Sequence, residues 1–194
     1  MSAVDESIVR EYFEAHGFLV CQRRKYAVQA RQKTADEEIN LVVLNPRATT
    51  GEVEFELSPA TLKHVARAVV AVKGWHTEIF APGVLAHQPK IFGFVEKKAL
   101  DEAQQLTGGE TLTKILVVPG LPREAKTRQR SVELLKSKGV DAVISFRAIL
   151  QELIAGVHTN RNYQKSDLLQ ILRLLKNYEL LKEPQLELKL RRKR

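Results

Sequence analysis

The chain has 194 residues, of which 44% are hydrophobic and 28% charged, and a formal net charge of +8. That length favours one domain with an appendage and is enough to bury a sizeable core. A single cysteine allows neither an internal disulfide nor a cysteine zinc cluster, no apolar run approaches the length of a bilayer span, and the acidic, amphipathic opening is unlike a secretory leader, which together set aside disulfide frameworks and membrane spans and lead to the expectation of a reducing cytoplasm.

In chain order, "VDESIVREYFEAHGF" carries Ile8, Val9, Tyr12 and Phe13 at helical spacing, with acids in its first turn and Gly17 as a stop. Extended chain follows in "FLVCQRRKYAVQ", where Cys21 reads as a small buried apolar side chain. "EINLVVLNP" is a short apolar strand closed by Asn-Pro. "GEVEFEL" alternates strictly, Val53, Phe55 and Leu57 against Glu52, Glu54 and Glu56, and is expected to pair with the preceding strand as a hairpin. "SPATLKHVARAVVAVKG" opens like a helix at Ser58-Pro59, but Val69, Val70 and Val72 are β-branched and crowded. A short helix to about Arg67 and a strand from about Val69 to Lys73 are therefore predicted.

The second half alternates helix and strand. "IFGFVEKKALDEAQQLTGG" reads as one helix, "KILVVPG" as a buried strand, "LPREAKTRQRSVELLKSKG" as a helix, "DAVISF" as a strand and "RAILQELIAGV" as a helix. That alternation implies later strands that are parallel and covered by helices. "SDLLQILRLLKNYELL" has a Ser166 cap and an apolar stripe wide enough to need a partner surface, and "PQLELKL" alternates as an edge strand would. The fold class is α/β: a central mixed sheet flanked by helices, with a C-terminal helix and edge strand. The expected domains are 1–158 and a C-terminal segment, 159–194, of helix, strand and basic tail.

The positive charge is clustered. Residues 21–35 hold Arg23, Arg24, Lys25, Arg31 and Lys33; residues 114–140 hold seven bases and two acids; the chain ends in "RRKR". Residues 36–60, by contrast, hold six acids and one base. Clustered cations favour polyanions through counterion release, although basic helix faces also serve solubility alone.

"AVVAVKGWH", Ala68 to His76, is a buried strand ending in a lysine, followed closely by Gly74 and Trp75. With "INLVV" before it and a helix, the "ILVV" strand and a helix ending near Lys-Gly-Val after it, residues 5–155 resemble the restriction-endonuclease-like superfamily, most closely the Mrr-type restriction endonuclease domain. The resemblance implies a metal-dependent nuclease centre. Asn40 falls where that family has an aspartate, Ala71 where it has an acid or glutamine, Lys73 on its lysine, and Glu6 or Glu11 on a first-helix acid found in some relatives. One of three central groups is kept.

Phosphodiester hydrolysis by that route needs Mg²⁺ to bind both the phosphate and the attacking water, and Mg²⁺ is held through carboxylates. Neither an amide nor a methyl group supplies that charge. The leading expectation is thus a nucleic-acid-binding protein, DNA favoured over RNA, on a nuclease-like scaffold without catalysis or cofactor. Lys73, Trp75, Arg123, Lys126, Arg130, Arg23, Arg24 and Lys25 would make the contacts, and the free N–H groups at the start of the "LPREAK" helix are a further anion site. One alternative is an active Mg²⁺- or Mn²⁺-dependent endonuclease with carboxylates relocated to Glu38, Glu54 or Glu56. Another is an assembly protein that forms a homodimer through helix 166–182.

Overall fold

The computed structural model describes residues 3–22, 39–108 and 111–181. Arg23, Arg24, Lys25, Glu38 and the expected C-terminal edge strand and basic tail lie outside the described residues. The chain forms two compact units, Met1–Leu150 and Gln151–Arg194.

The first unit is an α/β structure built on a five-stranded mixed sheet, consistent with a restriction-endonuclease-like arrangement of sheet and helices. Helix α1 (Ala3–Ala15) buries Val9, Tyr12 and Phe13 and ends at Gly17, whose φ of 83° lies in the left-handed region open to glycine. Strands β1 (Leu19–Gln22), β2 (Leu41–Leu44) and β3 (Arg67–Val72) form an antiparallel meander, with Cys21 opposite Val42 and Val42 opposite Val69. A short helix, α2 (Pro59–Leu62), precedes β3 as the Ser58-Pro59 start suggests. Strands β4 (Thr113–Val118) and β5 (Ala142–Ser145) then add in parallel, Val70 beside Ile115 and Leu116 beside Val143. The sheet order is β1-β2-β3-β4-β5, and β2 runs against the other four.

Parallel neighbours need long crossovers, which the helices supply. Between β3 and β4 lie α3 (Pro82–His87), a 3-10 helix (Pro89–Val95) and α4 (Lys97–Thr107). Between β4 and β5 lies α5 (Ala125–Ser137), with Gly139 beyond it at φ 86°. Five of the six residues of β3 are buried, because it is central in the sheet and covered on both faces. Val42, Val69, Ala71 and Leu116 pack with Phe80, Leu85, Phe94 and Leu135 in one cluster, while the intervening Leu41, Val70, Val72 and Ile115 are buried as well. Such double burial explains why β3 and β4 read as continuous apolar runs instead of alternating ones.

Three expectations are corrected. "GEVEFEL" does not form a hairpin with β2. It runs along β5: Val143 N–H donates to the Phe55 carbonyl at 2.6 Å, and Leu57 N–H donates to the Val143 carbonyl at 2.9 Å. Both edges of β2 are taken, by β1 and β3, so a hairpin with β2 is excluded, and the segment pairs at the outer edge of β5 instead. The alternation itself holds, with Leu57 buried and Glu52, Glu54 and Glu56 exposed. The "IFGFVEKKALDEAQQLT" helix is broken at Glu96, which is extended (φ −67°, ψ 144°). Ile91 and Phe94, three apart, share one face of the 3-10 turn and enter the core there. Cys21 is exposed, since β1 is an edge strand with alternating exposure.

Helix α6 (Phe146–Gly156) begins in the first unit and ends in the second. In the second unit, α7 (Asp167–Asn177) is capped by Ser166, whose hydroxyl accepts from Leu169 N–H at 3.2 Å. Arg173 Nε and Lys176 Nζ each donate to a carbonyl of the preceding loop, those of Thr159 and Val157, at 2.9 Å. Leu172 is buried, while Ile171, Leu174 and Tyr178 are exposed. Among the described residues no helix is long and apolar enough to cross a membrane.

Candidate nucleic-acid interface

Lys73 stands one residue past the end of β3, and its N–H continues the parallel ladder to the Val117 carbonyl at 3.1 Å. Because β3 and β4 are parallel, the segments that follow them leave the same end of the sheet. Lys73, Gly74, Trp75 and His76 follow β3; Gly120 to Glu124 follow β4 and lead into α5. The two segments are tied directly, Phe80 N–H donating to the Gly120 carbonyl at 2.9 Å. The start of α1 is at this end too. His76 Nε2 lies 3.1 Å from Asp5 Oδ1, and the Gly74 α-carbon packs so closely on the Asp5 carboxylate that a Cβ there would overlap it. A side chain at residue 74 is thus excluded by a close approach, not by backbone dihedral.

Asn40 has a structural role of its own. It is 8% exposed and sits just before β2, at the level of Val72. Its Oδ1 accepts from Val72 N–H at 2.7 Å, and its Nδ2 donates to Glu6 Oε1 at 3.0 Å. Gln22 Nε2 donates to the other oxygen, Glu6 Oε2, at 2.9 Å. The Asn40 side chain, which the resemblance would align with an aspartate, is therefore a bracket joining β3 to α1, and two neutral amides hold the Glu6 carboxylate. Of the two first-helix acids, Glu6 is the one that reaches Asn40. Glu11 is buried lower on α1, with Arg10 3.7 Å away. Ala71 is 0% exposed and belongs to the apolar cluster beneath the crossover helices.

Glu54 and Glu56, of the relocated carboxylates, do not converge on Lys73; Glu38 lies outside the described residues. Glu56 is bound through both oxygens by Arg128, with Arg128 Nε 3.0 Å from Glu56 Oε1. Glu54 and Glu56 belong to the segment on the outer edge of β5. That edge is three strand spacings from β3, about 14 Å at ~4.8 Å per strand. Among the described residues no three His, Cys, Asp or Glu side chains gather so as to hold a metal ion. At the positions where the resemblance implies metal-binding acids stand the Asn40 amide, with both polar atoms engaged, and the buried Ala71 methyl; the Glu6 carboxylate beside Asn40 is held by two amides. The residues present do not fit a divalent ion.

Positive charge around α5 is partly committed. Arg128 is spent on Glu56, whereas Arg123, Lys126 and Arg130 are exposed. Lys126 and Arg130 are four apart in α5 and share a face. The α5 N-terminus is not open to an incoming anion, contrary to expectation. Glu124 is its cap and accepts from Thr127 N–H at 3.2 Å and from the Thr127 hydroxyl. These bonds hold the Glu124 carboxyl below its ordinary pKa, the Thr127 hydroxyl being the main cause.

Past Lys73 the surface opens into a groove of about 880 Å³ lined by Gly74, Trp75, His76, Glu78, Val84 and His87, among others. Trp75 is 36% exposed and meets Phe80 edge-on, with ring centroids 5.7 Å apart. His76 meets Phe146 edge-on at 4.7 Å. His87 is anchored through Nδ1 to the Gly83 carbonyl at 2.7 Å. This groove was not legible in the sequence beyond the Trp-His pair, since Gly83 to Gln88 come to it only through the turn of α3. Comparison with protein-family models, curated proteins and solved structures finds no match to this chain.

Proposed function

We propose that this protein binds the sugar-phosphate backbone of nucleic acid, DNA before RNA, on a nuclease-like scaffold, and does not cut it. The observation that carries the reading is the parallel pairing of β3 with β4. It brings the segment beginning at Lys73 and the segment beginning at Arg123 to one end of the sheet, where Lys126 and Arg130 extend the positive surface along α5. Crevices at the carboxyl ends of parallel strands are common ligand sites in α/β folds. Against cutting stand the Asn40 bracket and the buried Ala71 methyl: neither supplies the charge that Mg²⁺ requires at close range.

The test is equilibrium binding of a labelled DNA duplex and of single strands across a salt series. Four phosphate contacts, from Lys73, Arg123, Lys126 and Arg130, give a slope of log K against log salt of roughly −3 to −4. Affinity then falls about 10²-fold between roughly 50 and 200 mM salt. Lys73→Ala and the triple change Arg123→Ala, Lys126→Ala, Arg130→Ala should each weaken binding and flatten the slope. No binding of any nucleic acid at low salt refutes the reading. Chelator-sensitive cutting that is lost in Lys73→Ala would instead establish a nuclease.

A further inference from the structure

We infer that the groove beside Lys73 receives an unstacked base, so that the protein selects single-stranded nucleic acid over duplex. This rests on the proposed backbone binding and adds the form of the substrate.

The groove differs in character from the basic surface next to it. Its wall is aromatic and polar: Trp75, His76 and His87 present ring systems, Glu78 a carboxylate, and Gly74 and Gly83 leave room between them. The indole of Trp75 is 36% exposed, yet it is braced by the edge-on ring of the fully buried Phe80, so the exposed part is a fixed platform. His76 is held from two sides, by the Asp5 carboxylate at 3.1 Å and by the ring of Phe146. Rings positioned in advance lose little freedom when a flat ligand stacks on them. Every base has a π-face, so stacking of this kind tolerates any sequence.

Electrostatics sorts the two halves of a nucleotide. Glu78 on the groove wall and Asp5 behind it repel a phosphate inside. Lys73, which directly precedes the groove-lining Gly74, and Lys126 and Arg130 on α5, the helix packed against α3, attract one outside. A nucleotide therefore enters base first, with its phosphate left at the cationic rim. The Glu78 carboxylate accepts hydrogen bonds from exocyclic amino groups, which cytosine, adenine and guanine carry and thymine and uracil lack. A duplex keeps its bases stacked and paired, and it would have to open to fill the groove, at a cost of a few kcal/mol per base. A single strand bears much less of that cost.

The chain has one tryptophan, so its intrinsic fluorescence reports directly on this groove. Full-length protein is titrated at low salt with oligodeoxythymidine, oligodeoxycytidine, oligouridine and a DNA duplex of the same length, following both tryptophan emission and the anisotropy of a label on the nucleic acid. The deoxy and ribo arms separate DNA from RNA. The expected result is quenching by the single strands, with single strands bound at least ten-fold tighter than duplex. Trp75→Ala, checked for its fold by circular dichroism, should bind single strands about ten-fold more weakly and duplex unchanged, the size expected for one lost stacking contact. Trp75→Phe should fall between them. Equal affinity for duplex, or single-strand binding without quenching, overturns the base-receiving groove while leaving backbone binding in place. Failure to bind either form removes both.

Discussion

Replacing Asn40 by aspartate introduces the acid that the nuclease resemblance implies while keeping the shape of the side chain, and its effect follows from two distances. The oxygen that accepts from Val72 N–H at 2.7 Å is retained. The group that donates to Glu6 Oε1 at 3.0 Å becomes a second carboxylate oxygen facing the first. Two unit charges about 3 Å apart repel by about 5 kcal/mol at an effective dielectric near 20. The lost bond to a charged acceptor is worth a further ~1.5–3 kcal/mol. Side-chain relaxation and shared protonation recover part of this, so N40D should lose about 3–5 kcal/mol of unfolding free energy at neutral pH. Asn40→Ala loses both bonds and strands the Val72 N–H, at a similar cost of about 3–5 kcal/mol, but it creates no repulsion. Urea unfolding followed by circular dichroism, with and without millimolar Mn²⁺, separates the two. A cation between two carboxylates should restore N40D and leave Asn40→Ala and the natural chain unmoved. N40D within about 1 kcal/mol of the natural chain in metal-free buffer would refute the bracket.

Ala71→Asp, the other change that completes the nuclease pattern, should cost about 4 kcal/mol or more in thermal or urea unfolding, because it places a charge in the apolar cluster around Val69 and Leu116; a stable variant would mean that residue 71 has a polar route out of the core. Glu56→Gln removes an ion pair whose partners are each about two-fifths exposed, so its cost should stay below about 1 kcal/mol and shrink in high salt; a loss of several kcal/mol would show that the backbone bonds to Val143 do not hold the edge segment on β5 without the pair. Glu124 has a lowered pKa in the folded chain, so its cap stabilises fully above the ordinary carboxyl value of 4.5 and is lost as pH falls through the lower folded value. Glu124→Gln should therefore lower Tm at neutral pH, with the difference closing in acid; a gap that persists there would assign the effect to something other than the carboxylate. Light scattering of the full chain should find a dimer if the exposed Ile171, Leu174 and Tyr178 of α7 form a seam, and a chain ending at Asn160 should be monomeric; a monomer in both removes the dimer.

The sequence by itself determined the local structure of most segments. Period-3.6 apolar spacing marked α1 and α7, and the β-branched crowding of Val69, Val70 and Val72 marked β3 against its helix-like start. The stop at Gly17 was equally legible, and its φ is positive as a glycine permits. These features act over a few residues, and neighbours in sequence are enough to specify them. The tertiary structure alone decided partners. The strict alternation of "GEVEFEL" is satisfied by any open sheet edge; β2 is closed between β1 and β3, and the tertiary structure places the segment on β5. The chemistry at Asn40 was hidden for the same reason: whether an amide binds a metal, a phosphate or a carboxylate depends on what stands 3.0 Å away, here Glu6, which is 34 residues distant in the chain. Hydrogen bonds and charges act over ångströms in space, and the fold, not the order of residues, sets those separations.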